Sequence, residues 1–520
     1  MTSGQYEVES SKPFSKSLLW ELNRSFYIDK GVDAWRNGTV PHQITSNSLV
    51  GRTYAELIFS FLKDLSNKGH SEETVYILEL GAGHGRLGFH ILVHLDELIH
   101  HNTSKIPPYC YILSDIVEDN LDFFLGHRQF QDYFAEGKLE VALFDVEQKG
   151  EIHLRYSGVT IGPKTSKHSL VAIANYFFDS IPKDLYSIQH QQVYACWASL
   201  GSFINPDGLS ITELLSQIQI SFALHPVPDP IYPEAIFNEM IKTYSQALDN
   251  TSFFFPHIGL RCIQNLSKLF GRGVMLLSMD KGFHQIGELA NTPLPSLVTH
   301  GSISFNVNYH AFSTFCQKLG GTSYFPKHSP SHVLLGCMLF LDNGEHYTET
   351  QTTYNHLVNA YGPDDFTRVK KMFYKHLEEM NLKELLHFLR MGAFDANLFK
   401  NLLPNIKQSS QAISVNDRIL LAKALHKTWE QYFTLNESED LAFEIAGLFY
   451  ALGYYEEALQ YFQFSVDQYG HTPDGFYNQA LCYYQLHEDD LFLQLLVKAR
   501  KMFPTYTNFD HLDTLDLTAE

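Results

Sequence analysis

Apolar positions recur at helical spacing in two early stretches, Ser17 to Tyr27 and Ser48 to Leu65, the second through Leu49, Tyr54, Leu57, Ile58, Phe61 and Leu62. A period near 3.6 predicts helices there. The loop Asn37-Gly38-Thr39-Val40-Pro41 separates them, so residues 1–70 read as a helical N-terminal cover. From about residue 75 the pattern changes to short continuous apolar runs: Val75 to Leu78, Tyr109 to Leu113, Leu139 to Phe144, Leu170 to Ala174 and Val274 to Ser278. Helical segments such as Leu87 to Leu98 alternate with them, which predicts βαβ units, a mostly parallel sheet and an α/β domain over 71–345. A long stretch, about 183–272, interrupts the alternation. With its helix-like segment Ile211 to Leu224 and the turn-rich Pro226 to Pro233, it reads as a helical capping insertion. Tyr309 to Leu319 reads as a helix and Ser331 to Leu341 as a closing strand.

Beyond about 365 the pattern is helical throughout. A spacer, 346–435, contains the amphipathic stretch Leu382 to Ile406, read as a packing face with partner docking as the alternative. Over 436–510 the pattern Ala442, Ala446, Phe449, Gly453, Tyr455, Ala458, Phe462 is partly repeated by Phe476, Ala480 and Tyr483, with Ala446 and Ala480 34 residues apart and Pro504 at the repeat-ending position. This resembles the tetratricopeptide repeat, in which small residues let two helices close on each other. Phe492 replaces the usual Ala in the second copy, and the helices from 415 to 435 offer a degenerate third copy. Plain helical-hairpin packing is the competing reading.

The chain has 520 residues, 44% of them hydrophobic and 18% charged, which fits a protein that buries real cores. Its formal net charge of −20 argues against a general nucleic-acid binder, because that affinity rests on basic charge. The six cysteines are scattered without a C-x-x-C pair, so reduced buried thiols are expected and neither a disulfide scaffold nor a metal site is. Met1 to Trp20 lacks a signal-peptide h-region, and no run of about 18 apolar residues occurs. A cytoplasmic location and no membrane partner are expected.

The segment that carries chemistry is Ile77-Leu78-Glu79-Leu80-Gly81-Ala82-Gly83-His84-Gly85-Arg86-Leu87, a buried strand running through glycines into a helix. Glycines let a backbone approach a ligand closely. In the dinucleotide fingerprint the third glycine falls one residue later, which disfavours a nicotinamide cofactor. Glu79, at the strand end, suits a cationic ligand and would repel a pyrophosphate. Asp115 and Asp145 end the next two strands. The first could hold ribose hydroxyls and the second an adenine amino group; either could instead cap a helix. The ordered set Glu79, Gly81, Gly83, Gly85, Asp115 and Asp145 points to S-adenosylmethionine, and the adjacent Ile116 and Val146 are further cofactor-binding candidates.

With these residues in view, the chain resembles class I methyltransferases, and within them the MidA-like family, over about residues 20–342. Ala174-Asn175-Tyr176-Phe177-Phe178-Asp179-Ser180-Ile181-Pro182 is similar to that family's N-E-x-x-D-A-x-P segment, and Met279-Asp280-Lys281-Gly282 to its D-Y-G. His300-Gly301-Ser302-Ile303-Ser304-Phe305-Asn306-Val307-Asn308 resembles its G-x-x-D-I-T-x-x-V-D stretch, and Ile44-Thr45-Ser46-Asn47 lies where it carries F-x-T-S-P. The resemblance implies Thr45 and Asn175 beside the cofactor, and protein arginine methylation as in the mitochondrial enzyme that assists complex I assembly. Tyr176 stands where the family has Glu, Lys281 where it has Tyr and Ser304 where it has Asp. A guanidinium favours a bidentate carboxylate, so the loss of the Glu at 176 puts arginine in doubt. Tyr176 and Asp179 are the catalytic candidates, each with a bland alternative: packing for Tyr176, helix capping for Asp179.

The expectation is therefore a Rossmann-like class I methyltransferase sheet with a helical cover and insertion, followed by an all-α tail that holds a protein or peptide partner. The alternatives are a small-molecule methyltransferase with a structural tail, or a non-catalytic interaction protein that binds the cofactor.

Overall fold

A computed structural model of the protein describes residues 6–36, 40, 44–147, 150–162, 167–297, 299–341, 346–410, 413–513 and 515. Of the predicted loop at 37–41 only Val40 falls among them, and the predicted domain end at 345 lies outside the described residues. The chain divides into two compact units, Met1–Val369 and Lys370–Glu520.

The longer strands of the first unit are β1 (Tyr6–Pro13), β2 (Val75–Leu80), β3 (Tyr109–Asp115), β4 (Leu139–Leu143), β5 (Leu170–Asn175), β6 (Asp184–Gln189), β7 (Gln192–Ser202), β8 (Ile218–Pro226), β9 (Thr251–Phe255), β10 (Val274–Asp280), β11 (Thr322–Tyr324) and β12 (Leu334–Phe340). Seven of them form one sheet in the order β11-β12-β10-β5-β2-β3-β4. β2, β3, β4, β5 and β10 are mutually parallel, and β12 inserts antiparallel to both β10 and β11. Their continuous apolar runs follow from this: β3, β10 and β12 are buried at every position, as strands covered on both faces must be. The α/β reading of the sequence holds, and each predicted strand run lies in this sheet.

The second sheet was not expected. It runs β1-β7-β6-β9, with β8 along the other edge of β7, all antiparallel. The predicted helix Ile211 to Leu224 is a helix only over Ile211–Gln217 and continues as β8. Leu214, Leu215 and Ile218 have helical spacing, but Ile218, Ile220, Phe222 and Leu224 alternate with period two and share one partly buried side. The insertion is thus a mixture of strands and helices, and the cover begins with β1, most of whose residues are exposed. Phe14, Trp20 and Phe305 pack on this sheet with Cys196, Ala198 and Leu200, carrying the helix Leu18–Lys30 against it.

The second unit is helical. Leu441–Leu452 with Tyr455–Tyr469, and Pro473–Gln485 with Asp489–Met502, form two hairpins. Ala442, Ala446 and Ala458 are buried in the first, where the rings of Phe443 and Phe462 lie 5.5 Å apart. Ala480 repeats the small residue in the second, and Phe492 fills its core beside Tyr484. Leu382–Met391 and Ala396–Ser409 bury Leu385, Leu389, Leu402 and Ile406, the apolar face read from the sequence.

All six cysteines are buried and free. Among the described residues no helix is long and apolar enough to cross a membrane.

Candidate functional site

The chain order of the large sheet reverses beside β2: β3 and β4 follow on one side, β5 and β10 on the other. Loops leaving neighbouring strand ends at such a point diverge and leave a crevice. A cavity of about 470 Å³ lies there, within the range of small-ligand sites.

Its floor is the glycine loop after β2. Gly81 and Gly83 have φ of +64° and +59°, a region in which a Cβ is strained. A Cβ on Gly81 would come within 3.0 Å of the Phe177 ring, and one on Gly83 within 2.8 Å of the Trp35 ring. The loop therefore presents bare backbone to the cavity. Asp115, at the end of β3, fixes it: Oδ2 accepts from the Gly83 N–H at 2.9 Å and Oδ1 from Val117 N–H at 3.0 Å. Burial pushes the Asp115 carboxyl up, and these N–H donors oppose that.

Glu79 lies under the loop, 4% exposed, with Oε2 accepting from the Tyr111 hydroxyl at 2.8 Å. Burial pushes its carboxyl up to about 8, so near neutrality it holds its proton until a cation faces it. Asp145, at the outer end, is engaged: Arg24 Nη1 donates to Oδ2 at 2.6 Å, and Glu147 N–H to Oδ1 at 3.0 Å. Ile116 and Val146 line the cavity next to these aspartates. At the end of β5, Asn175 Oδ1 accepts from the Tyr54 hydroxyl at 2.5 Å and Nδ2 donates to the Thr45 carbonyl at 3.2 Å. Asn175 thus anchors Thr45 and Ser46 in the wall.

Tyr176 follows on the cavity surface with φ of +47°, a left-handed conformation costly for a bulky residue. Burial, and then Asp280 and Asp179, push its phenol up. It stays protonated and offers a donor, not a base. Asp179, the other catalytic candidate, lies behind the wall and not on the cavity surface. Its N–H faces Asp280 Oδ2 at 3.3 Å, and its Oδ1 is buried without a partner. Lys183, 1% exposed, donates to the carbonyls of Phe178 and Asp179 at 2.6 and 2.8 Å. Burial raises both carboxyls and lowers the amine, and each charge of opposite sign resists the shift of its neighbour. Gly85 also leaves the lining; it precedes the helix Arg86–His100 with φ of +75°. The other predicted site residues come together around the cavity.

The sequence reading missed the roof. The helix Leu18–Lys30 contributes Trp20, Asn23, Arg24 and Tyr27 to the lining, and Trp35 follows it. Asn23 bolts the helix to the far wall, Oδ1 accepting from Ile303 N–H at 2.9 Å and Nδ2 donating to the Ser180 carbonyl at 3.1 Å. The Tyr27 and Trp35 rings stack at 5.7 Å. An Asn four residues before a Tyr, on one face of a predicted helix, was the available signal.

No protein-family model matches the chain, and no curated protein does. Solved structures give weak likenesses. A protein from Burkholderia thailandensis bound to S-adenosyl-homocysteine is 14% identical over 66% of this chain and 83% of its own, with a TM-score of 0.38. An uncharacterized protein from the same organism is 16% identical over 60% of this chain and 74% of its own, with a TM-score of 0.35. Magnesium protoporphyrin IX methyltransferase from Synechocystis PCC 6803, with bound SAH, is 12% identical over 61% and 97%, with a TM-score of 0.26. At these identities and scores, what the site does rests on its own geometry.

Proposed function

We propose that the protein is an S-adenosylmethionine-dependent methyltransferase acting on a protein side chain that the helical hairpins of the second unit help to recruit. The observation that carries this reading is the bare glycine loop clamped by Asp115 at the reversal point of the sheet. The residues fit the cofactor: a Cβ-free cradle for its backbone-like tail, the Asp115 carboxylate at the cavity surface for a ribose diol, and apolar Ile116 and Val146 beside an adenine. S-adenosylmethionine, when bound, supplies an electrophilic methyl group on a sulfonium. Glu79 would then face a cation and ionise, Asp115 would orient the ribose, and Asp145 would share its acceptor oxygens with Arg24. Tyr176 would position the acceptor through its hydroxyl, and holding the acceptor in line provides much of the rate.

The protein acceptor is supported by the repeated hairpins, whose buried alanines and spacing resemble tetratricopeptide repeats. Calorimetric titration of the full chain with S-adenosylmethionine and S-adenosylhomocysteine tests the core of the reading. Micromolar binding, abolished by Gly83→Arg, is expected; a folded protein that binds neither overturns it. A small-molecule acceptor would show instead as turnover unchanged when the tail is removed.

A further inference from the structure

We infer, independently of the methyltransferase reading, that the open edge of β8 pairs antiparallel with the same strand of a second copy, joining two five-stranded sheets into one. A strand with a free edge presents a row of unpaired N–H and C=O groups, and proteins ordinarily blunt such edges with charges, bulges or a covering loop. The other edges of this sheet follow that rule. β1 carries Glu7, Glu9 and Lys12 and shifts register twice against β7. On β9 the Ser252 N–H donates to the Thr292 carbonyl at 2.8 Å, so a loop covers it. β8 has none of these devices. Its nine residues, Ile218 to Pro226, include no Asp, Glu, Lys or Arg, and they pair with β7 without a shift from Ile218–Ser202 to Pro226–Tyr194. Alternate backbone groups of such a strand point away from its partner. On β8 those groups meet no hydrogen-bonding partner among the described residues.

The sequence of β8 matches itself. Antiparallel pairing about Phe222 sets Ile220 of one copy opposite Leu224 of the other, and Ser221 opposite Ala223. Ile220, Phe222 and Leu224 lie on the side packed against the core of Phe14, Trp20 and Leu200, and each is still partly exposed. Pairing extends that core across the two-fold axis. Ser221 and Ala223 are exposed on the opposite side, so polar or small residues meet there. Phe203 and Ile204 follow β7 where Ser202 pairs with Ile218, and at 58% and 43% exposed they add apolar surface at the end of the same edge. A row without charge gives a charged peptide nothing to recognise, whereas a second β8 supplies both the backbone bonds and matching side chains.

The test is sedimentation velocity of the full-length protein across the micromolar range, where wild type should approach twice the chain mass of 59.6 kDa. Ser221→Lys/Ala223→Lys sets like charges opposite each other on both sides of the axis and should weaken association by about tenfold or more. Ser221→Glu/Ala223→Lys sets opposite charges in the same register and should keep the dimer. Both positions are exposed, and circular dichroism checks that each variant holds the wild-type fold. Wild type that stays at the mass of one chain throughout overturns the inference. So does a dimer that the paired lysines leave unchanged, or one that both variants abolish, because the contact or its register would then lie elsewhere. None of these outcomes bears on cofactor binding, which the titration above measures separately.

Discussion

Substituting Gly83 by Ala separates two costs that the structure superimposes. The first is conformational: φ is +59°, and an L residue there loses about 1–2 kcal/mol. The second is steric: the new Cβ would stand 2.8 Å from Cζ2 and 2.9 Å from Cη2 of Trp35, and overpacking of this kind costs about 1–3 kcal/mol. Gly83→Ala should therefore destabilise the protein by about 2–5 kcal/mol. Trp35→Ala removes the ring that the methyl group meets but leaves the backbone strain. In that background Gly83→Ala should cost only the strain, giving a favourable coupling of about 1–3 kcal/mol in a double-mutant cycle. The assay is urea unfolding of wild type, both single variants and the double variant. If Gly83→Ala costs the same with and without the Trp35 ring, the ring does not rest on the loop and this account of the cradle fails.

Other consequences are open to direct measurement. Asp64 accepts from the N–H groups of Glu349 and Thr350 and from the Thr350 hydroxyl; Asp64→Ala orphans these donors and should cost about 2–3 kcal/mol in urea unfolding, whereas a change below 0.5 kcal/mol or so would show that water replaces the carboxylate. Glu79 has its carboxyl raised from 4.5 to about 8, so the stability it contributes is full below pH 4.5 and is lost as pH rises toward 8. Stability of Glu79→Gln relative to wild type should accordingly rise across that window by up to about 1.4 kcal/mol per pH unit; parallel pH profiles would exclude a protonated Glu79. Ala446 is fully buried between the helices of the first hairpin, and Ala446→Leu should destabilise the second unit by about 1–3 kcal/mol, seen as a lower unfolding midpoint; an unchanged midpoint would mean the helices are not in close contact there.

Where physics is local, the sequence was readable. The strands β2, β3, β5 and β10 are buried on both sides, so their runs of Val, Leu and Ile stand out without knowledge of neighbours. The glycine loop was legible for the same reason, since its backbone conformations and the acid that clamps it follow strand ends. β1 escaped notice because Tyr6–Pro13 is a polar edge strand with only one buried side chain, and its pairing depends on β7 far along the chain. β8 was hidden by the helical register of the residues just before it. The roof was missed because Asn23, Tyr27 and Trp35 acquire meaning only when the helix is docked. Asp179 was assigned to the cavity from its motif, yet it faces Asp280 and Lys183 behind the wall, a placement set by β10 and not by neighbours in sequence.

The pairing of β1 with the far end of β7 also sets an order of events. Tyr6 lies opposite Ser202 and Pro13 opposite Trp197, contacts that span roughly 190 residues and carry a large loop-closure penalty in any folding pathway. On a ribosome adding about 5–20 residues per second, roughly 10–40 s separate the synthesis of the two strands. The helix that follows β1 cannot take its place over the glycine loop by pairing until β7 has emerged. During that interval Phe14, Trp20 and Phe26, all buried in the finished protein, are exposed to solvent. The N-terminal segment is therefore where chaperone dependence and aggregation during synthesis should concentrate.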